Sequence, residues 1–97
     1  MILAVPNLLF LDCVLEQDVN YNGENLLNKA TKTHELCANL CADTILCAFW
    51  SWDSTGKMCW IKKSGAGRED KVGFLSGTPQ CGEGEQCKKK NLSKNQT

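Results

Sequence analysis

The 97-residue sequence carries no net charge, because eleven acidic side chains balance eleven basic ones. That balance removes the global field that draws basic chains to nucleic acid or to anionic membrane surfaces. No apolar run approaches the eighteen or more residues of a membrane-spanning helix, so no membrane insertion is expected. There is a single histidine, His34. Paired carboxylates, a glycine-rich phosphate loop and a Cys-x-x-Cys-His motif are all missing, which leaves hydrolytic, nucleotide and haem chemistry without residues to perform them. No segment repeats. A chain this poor in catalytic constellations reads as a binding or structural module, with no enzyme activity and no cofactor.

Cysteine is what the sequence has in quantity: seven, five of them between Cys37 and Cys81. A domain of this size has a modest core and commonly needs cross-links. Cysteines spread along it favour disulfides and an oxidising compartment, meaning a secreted or extracellular setting.

The organising stretch is Glu35–Trp52, where Cys37, Cys41 and Cys47 fall close together. Thr33 is a helix N-cap and Glu35 suits the first turn, so a helix is expected from about His34 to Ala42 or Asp43. Cys37 and Cys41 then share one helix face, with Leu36 and Leu40 beside them. Past Cys47 the pattern turns to strand, and Trp50 and Trp52 lie on one face of it as expected core. Asp53-Ser-Thr-Gly56 joins that strand to Lys57–Lys63 as a β-hairpin. Residues 13–22 read as extended and end in the turn signal Asn22-Gly23. Leu26-Leu27 resumes a short strand or turn, Ser64–Lys71 is a Gly-rich charged loop, and Val72–Ser76 is one more short strand. Residues 1–12 are an N-terminal lead-in; a signal peptide is the other reading, weakened by the missing basic start and by Pro6-Asn7. Residues 83–97 are a polar linker or tail, which leaves 13–82 as the domain.

Spacing alone leaves on the order of a hundred pairings of the seven cysteines. Helix geometry narrows them. A bond between Cys37 and Cys41, on consecutive turns, braces nothing, so each is expected to reach into the sheet. Cys41 is nearest Cys47, Cys37 faces Cys59 in the hairpin, and Cys13 and Cys81 are left to close the domain. The rival is a zinc site on Cys37, Cys41, Cys47 and Cys59. Only Cys37-x3-Cys41 has a zinc-like spacing, and Cys47-x11-Cys59 does not. His34 sits at a helix N-terminus, where imidazolium is disfavoured, and a catalytic Cys–His pair would need a free thiolate beside it.

These residues carry a resemblance. Cys37-x3-Cys41-x5-Cys47-x2-Trp50-x-Trp52, then Cys59-Trp-Ile-Lys62, then Leu75-Ser-Gly77 and Cys81, resembles the PAN/apple domain, as does Tyr21-Asn-Gly23 after the first cysteine. The resemblance covers Cys13 to Cys81. It implies an α+β, disulfide-stapled fold in which one α-helix packs across a curved antiparallel sheet of about five strands. It implies the same pairs, Cys13–Cys81, Cys37–Cys59 and Cys41–Cys47. Within the family the chain is most similar to the tandem apple domains of apicomplexan microneme adhesins. That implies a secreted adhesion module, stored in secretory organelles (micronemes), which binds a host-cell surface protein or glycan during attachment and invasion by a parasite. Apple domains also occur in plasma contact-system proteases and growth factors.

Cys87 departs from the six-cysteine pattern; a partner in the next repeat is its favoured reading, and a bond to another chain, a free thiol or a non-native bond to Cys13 or Cys81 are the alternatives. Trp60 alternates with Cys59 and Ile61, so it points away from the helix if Cys59 points toward it, as a candidate aromatic platform; core or rim packing is the plainer account. Lys62, Lys63, Arg68 and Lys71 cluster around the Gly-rich loop and are candidates for a sulfated glycan or an acidic protein patch; a solvated face is the plainer account of them. Asn91 and Asn95 begin two N-glycosylation sequons. Against a recognition module stands a structural spacer that only projects other domains.

Overall fold

The computed structural model describes residues 12–82. Along the chain run β1 (Leu15–Tyr21), β2 (Asn25–Ala30), α1 (His34–Asp43), β3 (Phe49–Asp53), β4 (Met58–Lys62), β5 (Arg68–Gly77) and a 3-10 turn at Pro79–Cys81. The strands form one sheet in the order β1-β5-β3-β4-β2, and every neighbouring pair is antiparallel. The architecture is therefore α+β, with five strands and one helix.

The helix begins where its cap allows. Thr33 has extended backbone, and its hydroxyl accepts the Leu36 N–H at 3.1 Å, which satisfies one of the amides a helix start leaves free. At the other end Thr44 leaves helical geometry. Cys37, Ala38 and Cys41 form the buried face, and they meet Trp50 and Trp52 from β3 and Cys59 and Ile61 from β4. The strand alternation does this: odd positions of β4 and even positions of β3 face the helix. The two buried indoles are satisfied, since Trp50 Nε1 donates to the Thr78 carbonyl at 2.6 Å and Trp52 Nε1 to that of Thr31 at 3.2 Å.

Three disulfides cross this core. Cys37–Cys59 ties α1 to β4, Cys41–Cys47 spans the turn from α1 towards β3, and Cys13–Cys81 joins the two ends of the domain with Cα atoms 4.6 Å apart. Cys37, Cys41, Cys47 and Cys59 are all so bonded, which removes the zinc alternative. Gly77 lies in the crowded corner beside Cys81, where a Cβ would meet the Val14 carbonyl at 2.7 Å and the Trp50 ring at 2.9 Å.

One local expectation needs correcting. Ser64–Lys71 is not loop throughout, because β5 starts at Arg68 and its first residues pair with Tyr21, Asn20 and Val19 of β1. That pairing is polar and long-range, so no hydrophobic alternation announces it. Asn22-Gly23 ends the extended β1 as its turn signal indicates, without pairing β1 to β2. β1 and β2 stand at opposite edges of the sheet, and the amides of Asn22 and Gly23 donate to the carbonyls of Gly67 and Ala66 at 2.9 and 3.3 Å.

An irregularity in β5 shapes the face opposite the helix. Between the pairs Gln17–Leu75 and Val19–Asp70, a single residue of β1, Asp18, faces residues 71–74. Gly73 takes φ +90° there, a conformation open to glycine at little cost. Its N–H donates to Asp18 Oδ1 at 2.9 Å, and its carbonyl accepts the Ser54 hydroxyl at 2.7 Å. The bulge carries the end of β1 over β3. Ser76 Oγ donates to the Val19 carbonyl at 2.6 Å, Ser76 Oγ lies 2.7 Å from Ser51 Oγ, and Ser51 Oγ accepts the Tyr21 N–H at 3.2 Å. Small hydroxyl side chains let the strands close over one another while their buried polar groups stay paired.

Candidate binding site

The folded-over β1–β5 ribbon leaves a hollow of about 290 Å³ on the face away from the helix. Trp60 and Lys62 enter it from β4, because they alternate with the core residues Cys59 and Ile61. Phe74 and Lys71 enter from the bulged part of β5, Asn20 from β1, and Asn22 and Asn25 from the link between β1 and β2 and the start of β2. Trp60 and Phe74 stack with centroids 5.9 Å apart and planes 20° apart. Lys71 Nζ lies 5.4 Å from the Phe74 ring centroid, within cation–π reach.

Lys62 is the unusual member. It is only 3% exposed, although the plainer account of this cluster is a solvated face. Its position opposite Phe49 on β3 and Asn25 on β2, in the interior of the sheet, removes it from water. Burial lowers the pKa of its ammonium, and the negative charge of Glu69 partly offsets this. Among the described residues no hydrogen bond and no ion pair within 4 Å holds that ammonium. Glu69 is itself engaged, since its Oε2 accepts from Asn20 Nδ2 at 2.7 Å.

Of the five residues singled out as ligand candidates, Trp60, Lys62 and Lys71 therefore line one hollow. Arg68 does not join them: its Nε and Nη2 donate to Glu16 Oε2 at 3.1 and 3.0 Å. Glu16 Oε1 also accepts the Tyr21 hydroxyl, and this hydrogen bond and the Arg68 contacts hold the Glu16 pKa below its usual value, against a smaller opposing push from burial. Lys63 is exposed and lies outside the hollow; its backbone N–H donates to the Glu24 carbonyl at 2.9 Å. His34 packs on the Trp50 ring at 5.9 Å, a core contact. Among the described residues no group of three or more His, Cys, Asp or Glu side chains is placed to hold a metal ion.

No family model matches this sequence, and no curated protein matches it. Among solved structures it is similar to the solution structure of the two N-terminal apple domains of Toxoplasma gondii microneme protein 4. The TM-score is 0.60 at 28% identity, over 66% of this chain and 43% of that one. The chain folds as an apple domain.

It thus spans less than half the length of that two-domain structure. Sequence reasoning about this apple domain missed the asparagines of the hollow and Phe74. Phe74 was legible as a strand aromatic, but the three asparagines meet only because the ribbon folds over. Cys87, the sequons at Asn91 and Asn95, residues 1–11 and the tail from 83 onward lie outside the described residues.

Proposed function

We propose that this apple domain is an adhesion module of a secreted multi-domain protein, and that its ligand on a host-cell surface docks in the hollow beside Lys62. The observation that supports this is convergence. Two stacked aromatic rings, two ammonium groups and three amides reach one concave site from separate elements. A few placed polar groups beside apolar walls are what recognition sites generally present. Likeness to paired apple domains of a microneme protein supports the wider setting, namely storage in secretory organelles, release, and attachment and invasion by a parasite. In that setting weak sites on linked copies gain avidity, and Cys87 ties the domain to a neighbouring domain or chain. No catalytic step is part of the reading.

The competing reading, a spacer, sits poorly with the disulfide at the domain's ends. Cys13 and Cys81 are 4.6 Å apart at Cα, so the chain enters and leaves at one point. The body hangs from the array and adds little more than one residue's step, about 3.8 Å, to its length. The test is binding of the purified chain to host cells and to a glycan array. Attachment that falls on Trp60→Ala or Lys71→Gln and survives Lys63→Gln supports adhesion through the hollow. A blank on every surface, or attachment indifferent to the hollow variants, overturns it.

A further inference from the structure

We infer that the hollow selects a saccharide ring bearing a single negative charge, a carboxylate or a sulfate ester, seated with its anion on Lys62 Nζ. This rests on the adhesion reading above and names the ligand class of the same site. The starting point is Lys62, a residue only 3% exposed that lines the hollow and whose ammonium is held by no acceptor among the described residues. A buried charge is costly unless it is paired and hydrogen-bonded. An incoming anion supplies the missing partner, and a charge-assisted hydrogen bond is the strong kind. Lys71, at the rim above the Phe74 ring, adds a second positive charge on the path in.

The rest of the lining describes what the anion is attached to. Asn20, Asn22 and Asn25 bring amides that donate and accept, which matches vicinal hydroxyl groups, although one Nδ2 hydrogen of Asn20 is already given to Glu69. The stacked Trp60 and Phe74 rings give an apolar wall for the C–H side of a ring. A bare aspartate or glutamate side chain would pair with Lys62 but leave the three amides unused, so a saccharide fits better than an acidic peptide. Lys62 and Lys71 bring two positive charges to the hollow and Glu69, bonded to the lining residue Asn20, brings one negative charge, so the balance of one positive charge matches a single negative one. A phosphate monoester, which carries close to two charges at neutral pH, is disfavoured.

The experiment uses the full chain, isotope-labelled, with the Trp60 indole and the asparagine amides as reporters in NMR titration. The probes are glucuronic acid, galactose 6-sulfate, neutral glucose and galactose, glucose 6-phosphate, and a glutamate-rich peptide. Expected is binding of the carboxylated or the sulfated sugar about tenfold or more tighter than its neutral parent, weakened by salt. The two probes separate carboxylate from sulfate. Lys62→Met should abolish the preference and Lys71→Gln should reduce it; Lys71 is exposed, so that variant keeps the fold. Near-UV circular dichroism of Lys62→Met separates lost binding from lost structure. Equal binding of neutral and anionic sugars overturns the inference and leaves adhesion standing. So does tighter binding of the phosphate ester, or binding of the peptide alone. If no probe shifts the hollow and Lys62→Met still attaches to cells, the inference and the placing of adhesion in the hollow fall together.

Discussion

Cys13 and Cys81, separated by 68 residues of sequence, are bonded to each other and close the domain at its base. On the chain-entropy account the closed loop constrains the unfolded state, and a loop this long contributes about 4 kcal/mol. The Cys41–Cys47 bond, with a separation of 6, contributes about 2 kcal/mol on the same account. Replacing both members of each pair by serine should therefore lower the thermal midpoint more for Cys13/Cys81 than for Cys41/Cys47. Calorimetry under non-reducing conditions checks the order, and the reverse order would refute the loop-length account here.

Among the described residues Glu16 is the carboxylate whose pKa is lowered. Its folded-state pKa lies below the ordinary 4.5, chiefly through the Tyr21 hydroxyl, with burial opposing and the Arg68 contacts adding to the lowering. Below that ordinary value the unfolded chain binds more protons than the folded one, so stability is present above about pH 4.5 and falls as the pH drops through the folded-state value. Tyr21 has the opposite sign. Its pKa is raised, first by burial and then by Glu16, so its contribution is present below pH 10.0 and is lost at higher pH. Thermal midpoints followed against pH should show a shallower acid limb for Glu16→Gln than for the wild type.

Gly73→Ala isolates a backbone cost. The nearest atom to a new Cβ is Ser54 Oγ at 3.7 Å, so there is room for it, yet φ is +90°. A loss of roughly 1–3 kcal/mol is expected from strain alone. Gly77→Ala should cost more, since its Cβ would collide with the Val14 carbonyl and the Trp50 ring. Urea unfolding of the two variants orders the effects.

Lys62→Met should raise the thermal midpoint or leave it unchanged, because an apolar chain of similar length removes a buried, unpaired ammonium. Binding in the hollow should be lost in the same variant. A drop of several degrees in midpoint would mean that the ammonium has a stabilising partner.

Much of this was legible beforehand. Thr33 and Glu35 mark the helix start, Cys37 and Cys41 mark its inner face, and the alternation around Trp50, Trp52, Cys59 and Ile61 assigns the core side of two strands. These are short-range signals, set by the period of a helix or strand. Trp60 was likewise readable as pointing away from the helix. Lys62 and Arg68 were not separable in the same way. Both are basic residues near one loop, yet one is buried in the wall of the hollow without a counterion in contact and the other is neutralised by Glu16, 52 residues away.

By itself, then, the amino-acid order determined a helix stapled through its own sulfur face to a two-tryptophan strand and a following hairpin, because neighbouring residues settle those preferences. What only the tertiary structure decided is the hollow. It exists because β1 leaves the turn at Asn22-Gly23 for the far edge of the sheet from β2, and because the bulge at Gly73 bends the ribbon over β3. Which polar residues meet there depends on strand order and register, and those are set by the closing of the whole chain, beyond the reach of any local pattern.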